Sequence, residues 1–289
     1  MQKRTFLCIL LLLLTFLFGC QKETTVEIAA TTLPVYEFAN MLIEDTDLSL
    51  ARIVTEDVSC LHDYTLQVSQ MRMIESAKVI IQSGAGLEDF LELSAAPNTI
   101  DASQGIPLLE STCHHHDSHN VHHHEHDAHI WLSPVNAKRM VQNICEGLCR
   151  QFPEYTDIFQ ANLNGLMAQL DALEQYGTAV LSQLKTRELI TFHDGFSYLA
   201  DCFDLTILEA VEEESGSEAS AAELIELIAL VQTHRLPAIF TERSGSTSAA
   251  AVIAAETTIP VYTLDMAMAG DSYFEAMYHN IDTLKEALG

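Results

Sequence analysis

The sequence predicts an α/β protein of two units with parallel sheets, joined by one long helix. Short runs rich in β-branched residues alternate with longer helical patterns in both halves of the chain, an order typical of parallel strands layered with helices. A single, much longer helical pattern separates the two sets of strands. Hydrophobic residues make up 48% of the chain, a fraction that is sufficient for ordinary buried cores.

Each unit has its own set of predicted elements. In the first unit we predict strands at residues 26–31, 50–54 and 78–83 and helices at 35–43 and 66–75. In the second unit we predict strands at 188–192, 205–210, 238–242 and 261–264. Two capping-box patterns, Ser220 with Glu223 and Ser272 with Glu275, predict helices over 221–232 and 273–287.

The segment between the units has the clearest periodicity in the chain. Apolar residues from Phe159 to Leu184 recur at alternating spacings of four and three, which places one stripe on one helix face. A helix over residues 154–184 would be roughly 45 Å long at about 1.5 Å per residue. A coiled-coil seam between two copies is the alternative, but the run is single and is flanked by compact α/β patterns. We therefore predict an N-terminal lobe at 21–152, a linking helix at 153–186 and a C-terminal lobe at 187–289.

The first 20 residues have the pattern of a targeting signal. Lys3 and Arg4 precede an apolar stretch of 13 residues at 6–18, which is shorter than the roughly 20 residues of a membrane-spanning helix. The ending Leu-Phe-Gly-Cys resembles a bacterial lipoprotein cleavage box, so Cys20 is predicted to be the lipidated first residue of the mature chain. The alternative is an uncleaved anchor, and either form leaves the rest of the protein outside the cytoplasm.

Charge and cysteine content exclude several classes of function. The formal net charge is −27 at pH 7, so the chain repels nucleic acid and anionic lipid headgroups and favours cations near its surface. Five cysteines remain after Cys8 and Cys20 are set aside, and none forms a C-x-x-C pair, which argues against a structural zinc knuckle. Cys145 and Cys149 lie on a predicted helix and are interpreted as small core residues.

A histidine-rich segment at residues 113–127 dominates the middle of the chain. Imidazole is the commonest side-chain ligand for divalent transition metals, so this density of rings indicates metal binding. The segment has no apolar periodicity, and we therefore expect a mobile loop that binds metal weakly and in many arrangements. A low-complexity segment without a role is the alternative. Its histidines are His114, His115, His116, His119, His122, His123, His124 and His126.

Four other residues are candidates for a fixed metal site. His62, His193 and Asp265 each come shortly after a predicted strand, and the carboxyl ends of strands are where ligands bind in open α/β sheets. His129 comes just before a helix that Ser133 and a following proline open. Two candidates come from each unit, so a site built from them would lie in the cleft between the lobes.

These candidates gain weight only as a set. An isolated histidine beside a turn is more often a surface or capping residue than a ligand. Three imidazoles and one carboxylate, however, suit tetrahedral zinc, with nitrogen ligands at about 2.0–2.1 Å. Asp63 and Asp194 each follow a candidate histidine directly and are candidates for orienting its ring.

The motifs LHDY, a histidine-rich insertion, DAHIWLSP, TFHDGFSYLA and TLDMAM follow one another behind the lipoprotein signal. In this order the chain resembles the solute-binding proteins of zinc and manganese ABC importers, and GAGLEDFLE at 84–92 extends the match over essentially the whole mature chain. The resemblance implies two Rossmann-like lobes joined by one rigid helix, with the metal site in the inter-lobe cleft. It maps the ligands onto His62, His129, His193 and Asp265.

The residue at the third ligand position, His193, indicates which metal is bound. Manganese-selective relatives have glutamate where His193 stands, and Zn²⁺ accepts imidazole more readily than the harder Mn²⁺ does. The resemblance therefore implies Zn²⁺ as the transported ligand, an ABC importer permease as partner, a lipid anchor on the outside of the bacterial cell membrane, and a monomer. Leu61, which precedes His62, and Met266, which follows Asp265, depart from the residues common in relatives.

Other functions remain open at this point. A manganese- or iron-selective member of the same family differs only in its metal. A secreted zinc-dependent hydrolase is a different class, but the chain has no H-E-x-x-H, no G-x-S-x-G and no obvious general base, so we predict that it is not an enzyme. A surface adhesin fits a lipid-anchored acidic protein, although no motif identifies its partner.

Overall fold

The computed structural model describes residues 26–56, 58, 61, 64–91, 98–110, 126–211 and 219–289. These residues form two four-stranded sheets in which every pair of neighbouring strands is parallel. The first sheet has the order β2-β1-β3-β4 and comprises β1 (Ile28–Ala30), β2 (Leu50–Arg52), β3 (Val79–Gln82) and β4 (Thr99–Asp101). The second has the order β6-β5-β7-β8 and comprises β5 (Glu188–Phe192), β6 (Thr206–Ala210), β7 (Ile239–Glu242) and β8 (Val261–Leu264).

Helices cover the sheets and connect them. The first lobe contains α1 (Leu33–Leu42), α2 (Val68–Ser76) and α3 (Pro134–Gln151). The long helix α4 (Thr156–Leu181) joins the lobes, and the second lobe contains α5 (Ser197–Cys202), α6 (Ala221–His234), α7 (Ser248–Thr257) and α8 (Tyr273–Leu288). The predicted fold of two α/β lobes joined by a long helix is confirmed. No helix in the described ranges is both long and apolar enough to cross a bilayer.

Helix α4 is shorter than the predicted 154–184. It has 26 residues, and a 3₁₀ turn over Pro153–Tyr155 precedes it. At its other end the guanidinium of Arg187 donates to the carbonyl of Leu181 at 3.1 Å and to the carbonyl of Phe203 at 3.0 Å. These bonds satisfy a carbonyl that the helix leaves without a partner and turn the chain into β5.

The apolar stripe of α4 is buried inside the chain. Phe159, Leu166, Leu170 and Leu173 are almost fully buried, and α4 contacts both α3 and α8. A Cβ atom at Gly177 would lie 2.4 Å from the ring of Phe203, so this position accepts no side chain without a shift of its neighbour. The stripe therefore serves as a brace between the lobes rather than as a seam between two copies.

The segment 265–273, which we call the connector, belongs to the second lobe but bonds to the first. The indole nitrogen of Trp131 donates to the carbonyl of Met266 at 2.7 Å, and Arg52 donates to the carbonyl of Gly270 at 3.1 Å. The hydroxyl of Tyr273 donates back to the carbonyl of Trp131 at 2.8 Å. These three hydrogen bonds hold the two lobes together.

The start of α8 shows how the lobes complete each other. Ser272 accepts from the backbone N–H of Glu275 at 3.3 Å, as the capping pattern predicts. In addition, the carboxylate of Glu37 on α1 accepts from the Ser272 hydroxyl at 3.0 Å and from the backbone N–H of Tyr273. A carboxylate at a helix N-terminus is favourable, so the first lobe caps a helix of the second. Burial raises the pKa of Glu37.

A second buried carboxylate supports the first sheet. Glu88 accepts from the Thr31 hydroxyl at 2.6 Å and from the backbone N–H groups of Ser83 and Gly84 at 2.7 and 3.0 Å. Thr31 and Ser83 follow β1 and β3, so Glu88 links the carboxyl ends of two neighbouring strands. Complete burial raises its pKa to about 7, because the ionised form loses hydration.

Candidate metal site

His129 is held rigidly at the entry to α3. Its residue surface is only 4% exposed. Asp127 Oδ1 lies 2.8 Å from His129 Nδ1 and also accepts the backbone N–H of His129 at 2.8 Å. The ring packs edge-on against Trp131, with ring centroids 5.4 Å apart. A carboxylate only accepts hydrogen bonds. In the neutral tautomer that bonds to Asp127, the proton is therefore on Nδ1, and Nε2 has a free lone pair.

The second ring nitrogen of His129, Nε2, has the properties of a metal ligand. Within the part of the chain that is described, His129 Nε2 is buried and has no hydrogen-bond partner. Buried polar atoms almost always have a partner, so each exception requires an explanation. A histidine whose other nitrogen bonds to a carboxylate is the usual arrangement of a metal-ligating imidazole.

His193 lies beside His129, directly after β5. It is 7% exposed, and its ring centroid lies 5.3 Å from that of His129 with the planes at 80°. Its Nδ1 lies 3.8 Å from Oε2 of Glu242, which ends the neighbouring strand β7. A Cβ at Gly195 would lie 2.7 Å from His193 Cδ2 and 3.0 Å from Nε2. Glycine at 195 is therefore required for the ring to take this position.

Asp265 lies at the end of β8 and is firmly fixed. Its backbone N–H donates to Asn280 at 2.7 Å, and its carbonyl accepts from the Asn280 amide at 2.7 Å. Oδ1 of its carboxylate accepts from the backbone N–H of Ala267 at 2.7 Å, and Oδ2 accepts from Arg243 at 3.0 Å. Both carboxylate oxygens thus have partners within the second lobe.

The structure brings two of the four predicted ligands together. His129 and His193 are neighbours, whereas Asp265 forms an ion pair with Arg243. Across the described ranges, no three metal-binding side chains form a group that could hold an ion. His62 lies outside the described residues, so the four-ligand set remains a prediction. Also outside them are Cys20, Asp63, His114, His115, His116, His119, His122, His123 and His124.

The residues just before the histidine-rich segment bond to residues near its end, next to His129. Glu110 and His126 form an antiparallel bridge, and the backbone N–H of Asp127 donates to the carbonyl of Leu109 at 2.9 Å. The Tyr198 hydroxyl accepts from the N–H of Leu109 at 2.9 Å and donates to the carbonyl of Asp127 at 3.1 Å. Burial raises the pKa of Tyr198, which keeps the phenol protonated. Glu110, which precedes the segment, is therefore paired with His126, which lies three residues before His129.

Sequence reasoning did not identify the carboxylates that lie beside the rings. Asp127 accepts from His129, for which no carboxylate partner was predicted; the i, i+2 spacing in DAH was the available signal, because an aspartate bonds readily to the backbone two residues on. Glu242 could have been found by the same strand-end argument that found His193, since β5 and β7 are neighbours. The role of Asp194, which is buried, remains a prediction.

This arrangement suits a borderline-soft divalent cation. Two buried imidazoles can provide nitrogen ligands, and the nearby carboxylates of Asp127 and Glu242 add negative charge that favours a dication at the rings. The hydrogen bond to Asp127 also fixes the orientation of the His129 ring before an ion arrives, which reduces the entropy lost on binding. The pair can therefore form the core of a metal site.

Comparison with known proteins gives consistent matches. A profile of the family described as "ZnuA: Zinc-uptake complex component A periplasmic" matches residues 28–287. A Treponema pallidum (strain Nichols) protein whose name describes metal binding is 32% identical over 290 residues, which cover 93% of this chain and 92% of the relative.

Two further matches bear on zinc. The zinc-binding lipoprotein AdcA of Streptococcus pneumoniae serotype 4 is 27% identical over 294 residues; the match covers 94% of this chain but 58% of AdcA. This chain thus spans little more than half of that relative. A crystal structure of ZnuA has a TM-score of 0.79 and 29% identity, covering 92% of this chain and 100% of the ZnuA chain.

Proposed function

We propose that this chain, which belongs to the ZnuA family of zinc-uptake complex components, captures Zn²⁺ between its lobes and delivers it to an ABC importer permease. Membership of this family confirms the resemblance read from the sequence motifs and zinc as the bound ligand. The observation that carries the site assignment is the buried pair His129 and His193, each with a carboxylate beside its ring.

The ligand set we propose is His62, His129, His193 and Asp265. His129 and His193 need little rearrangement, because both rings are already buried and adjacent. Asp265 requires a change of partner, since Arg243 holds its carboxylate. His62 would supply the third imidazole from the segment after β2. Three nitrogens and one oxygen complete the tetrahedral set that Zn²⁺ prefers.

The histidine-rich segment is proposed to concentrate zinc beside this site. Glu110, just before the segment, pairs with His126, which is three residues from His129. Ions bound weakly by the segment would be kept within a short distance of the buried pair, which raises their effective concentration there. Deletion of the segment should therefore slow uptake when zinc is scarce but leave the tight site in place.

The cellular setting is proposed from the signal and the relatives. Cys20 would carry the lipid anchor on the outer face of the bacterial cell membrane, a monomeric chain would present zinc to the permease, and domains would divide at 21–152, 153–186 and 187–289. A hydrolase is disfavoured because the family is one of transport components. The imidazole of His193 favours zinc over manganese and iron, and no described feature favours an adhesin.

The test uses a chain from Gln21 with residues 114–125 deleted, which removes the weak sites and keeps the bridge between Glu110 and His126. Zinc content and affinity are measured by competition with a chromophoric chelator. We expect one tightly bound zinc, lost or weakened at least a hundredfold by His193→Ala. His234→Ala is the matched control, because His234 is a partly exposed histidine paired with Glu188 on the second lobe. Absence of a tight zinc, or equal effects of both variants, would overturn the assignment.

A further inference from the structure

The ion pair between Arg243 and Asp265 occupies a residue that the proposed function needs as a ligand. Arg243 Nη1 donates to Asp265 Oδ2 at 3.0 Å, and the backbone N–H of Ala267 donates to Oδ1. The Asp265 side chain is 12% exposed and that of Arg243 is 55% exposed. A cation therefore already neutralises the carboxylate, and it does so from the solvent side, where it can be displaced.

The surroundings of Arg243 offer its guanidinium a second position. A cavity of about 480 Å³ lies beside the ion pair, and its lining includes both Arg243 and Asp265. Two further carboxylates, those of Asp271 and Glu275, line the same cavity. A guanidinium that leaves Asp265 can thus turn toward other acidic side chains without entering an apolar environment.

We propose that Arg243 is a counter-ion that zinc displaces from Asp265, so that Arg243 sets the zinc affinity and release rate of the site. The inference rests on the proposed function. In the metal-free protein Arg243 neutralises Asp265 and prevents a buried carboxylate from remaining unpaired. On binding, Zn²⁺ takes over Asp265 while the guanidinium moves toward Asp271 and Glu275. Arg243 is a positioning residue, because it acts on the ion through Asp265.

Displacement has a direct consequence for release. Breaking the ion pair between Arg243 and Asp265 costs free energy, which offsets part of the attraction between Zn²⁺ and Asp265. The site therefore binds zinc less tightly than its ligands alone would allow. Arg243 also remains close enough to recapture Asp265, which assists dissociation of the ion. A protein that must hand its ion to a permease needs a release rate of this kind.

The test compares Arg243→Ala and Arg243→Gln with wild type in the chain from Gln21 lacking residues 114–125. Zinc affinity is measured by chelator competition and release by stopped-flow transfer to excess chelator. We expect both variants to bind about tenfold more tightly and to release zinc correspondingly more slowly. Arg139→Ala removes the same charge from the first lobe, where Arg139 bonds to the carbonyl of Gln104, and should stay within twofold of wild type.

A double-mutant comparison separates the effect of the Arg243–Asp265 ion pair from a general electrostatic effect of the Arg243 charge on the zinc site. In an Asp265→Asn background, Arg243→Ala should change zinc affinity by less than twofold; an undiminished tenfold gain there would overturn the inference. Unchanged or weaker binding by the Arg243 variants would also overturn it, while loss of zinc in His193→Ala would still support the proposed function. Absence of tight zinc from the parent protein itself would instead refute the proposed function.

Discussion

Replacement of Asp127 provides a direct test of how the candidate site is held. Asp127 Oδ1 accepts two hydrogen bonds from His129, one from the ring and one from the backbone, each 2.8 Å long. Asp127→Ala removes both and leaves a buried ring N–H without an acceptor. Hydrogen bonds to charged groups contribute about 1.5–3 kcal/mol each, and loss of a residue that orients a metal ligand reduces metal affinity about 10–100-fold.

We expect Asp127→Ala to weaken zinc binding about a hundredfold, or about 2.8 kcal/mol. Asp127→Asn keeps an oxygen that can accept both bonds and loses only the charge, so its effect should be smaller, about tenfold. Asp171→Asn is the control, because Asp171 is exposed, pairs with Lys138 and undergoes the same change of charge. Affinities are measured by chelator competition at pH 7.5, after thermal melting has confirmed that the variants fold.

The ranking of the Asp127 variants decides the interpretation. If Asp127→Ala binds zinc within twofold of wild type, His129 is not a ligand that Asp127 orients. If the alanine and asparagine variants lose the same affinity, the carboxylate contributes through its charge rather than through ring orientation. Either result would contradict the reasoning from geometry.

Three other predictions follow from burial and protonation. Gly195→Ala should weaken zinc binding more than tenfold, because the new Cβ would lie 2.7 Å from the His193 ring. Gly165→Ala is the control and should leave binding unchanged, because a Cβ there would meet no atom within 4 Å; equal zinc affinities of the two variants would contradict the prediction. Glu88 has a pKa near 7 in the folded protein against an ordinary 4.5, so its stabilising contribution is present below about pH 4.5 and lost as pH rises through 7. The free energy of unfolding of the wild type in urea, measured relative to that of Glu88→Gln, should therefore fall by up to about 3 kcal/mol between pH 4.5 and 8. A difference that stays constant with pH would refute this prediction. Zinc affinity should fall as the pH is lowered from 7.5 to 5, because protons compete with Zn²⁺ for the ligand imidazoles, and a flat affinity over this range would exclude a histidine-dominated site.

The fold was accessible from the sequence because its strands are short β-branched runs at regular intervals. β5 and β8 have the predicted limits. β4 was missed because Thr99 and Ile100 are its only β-branched residues and turn-forming residues lie on both sides of them, Pro97 and Asn98 before and Asp101 after; α7 was missed because its alanine-rich sequence has no distinct polar face. Both elements depend on packing against neighbours, which local pattern does not report.

The candidate site was only partly accessible for a related reason. His129 and His193 were identified because each lies at the boundary of an element with a clear signal. The pairing of Asp265 with Arg243 joins residues that are 22 positions apart and directly follow two neighbouring strands, and Glu37 bonds to the start of α8 across 235 positions. Such partners depend on the register of strands and the docking of lobes, so a single sequence does not reveal them.

The connector makes the two lobes inseparable in thermodynamic terms. One continuous hydrophobic cluster includes Ile28 and Phe38 of the first lobe together with Tyr273 and Leu284 of the second. A cut between α4 and β5 would therefore yield two fragments that each expose half of a shared interior. Because this cluster spans both lobes, we expect them to unfold together, so an ion bound between them should raise the melting temperature of both lobes and protect both from proteases.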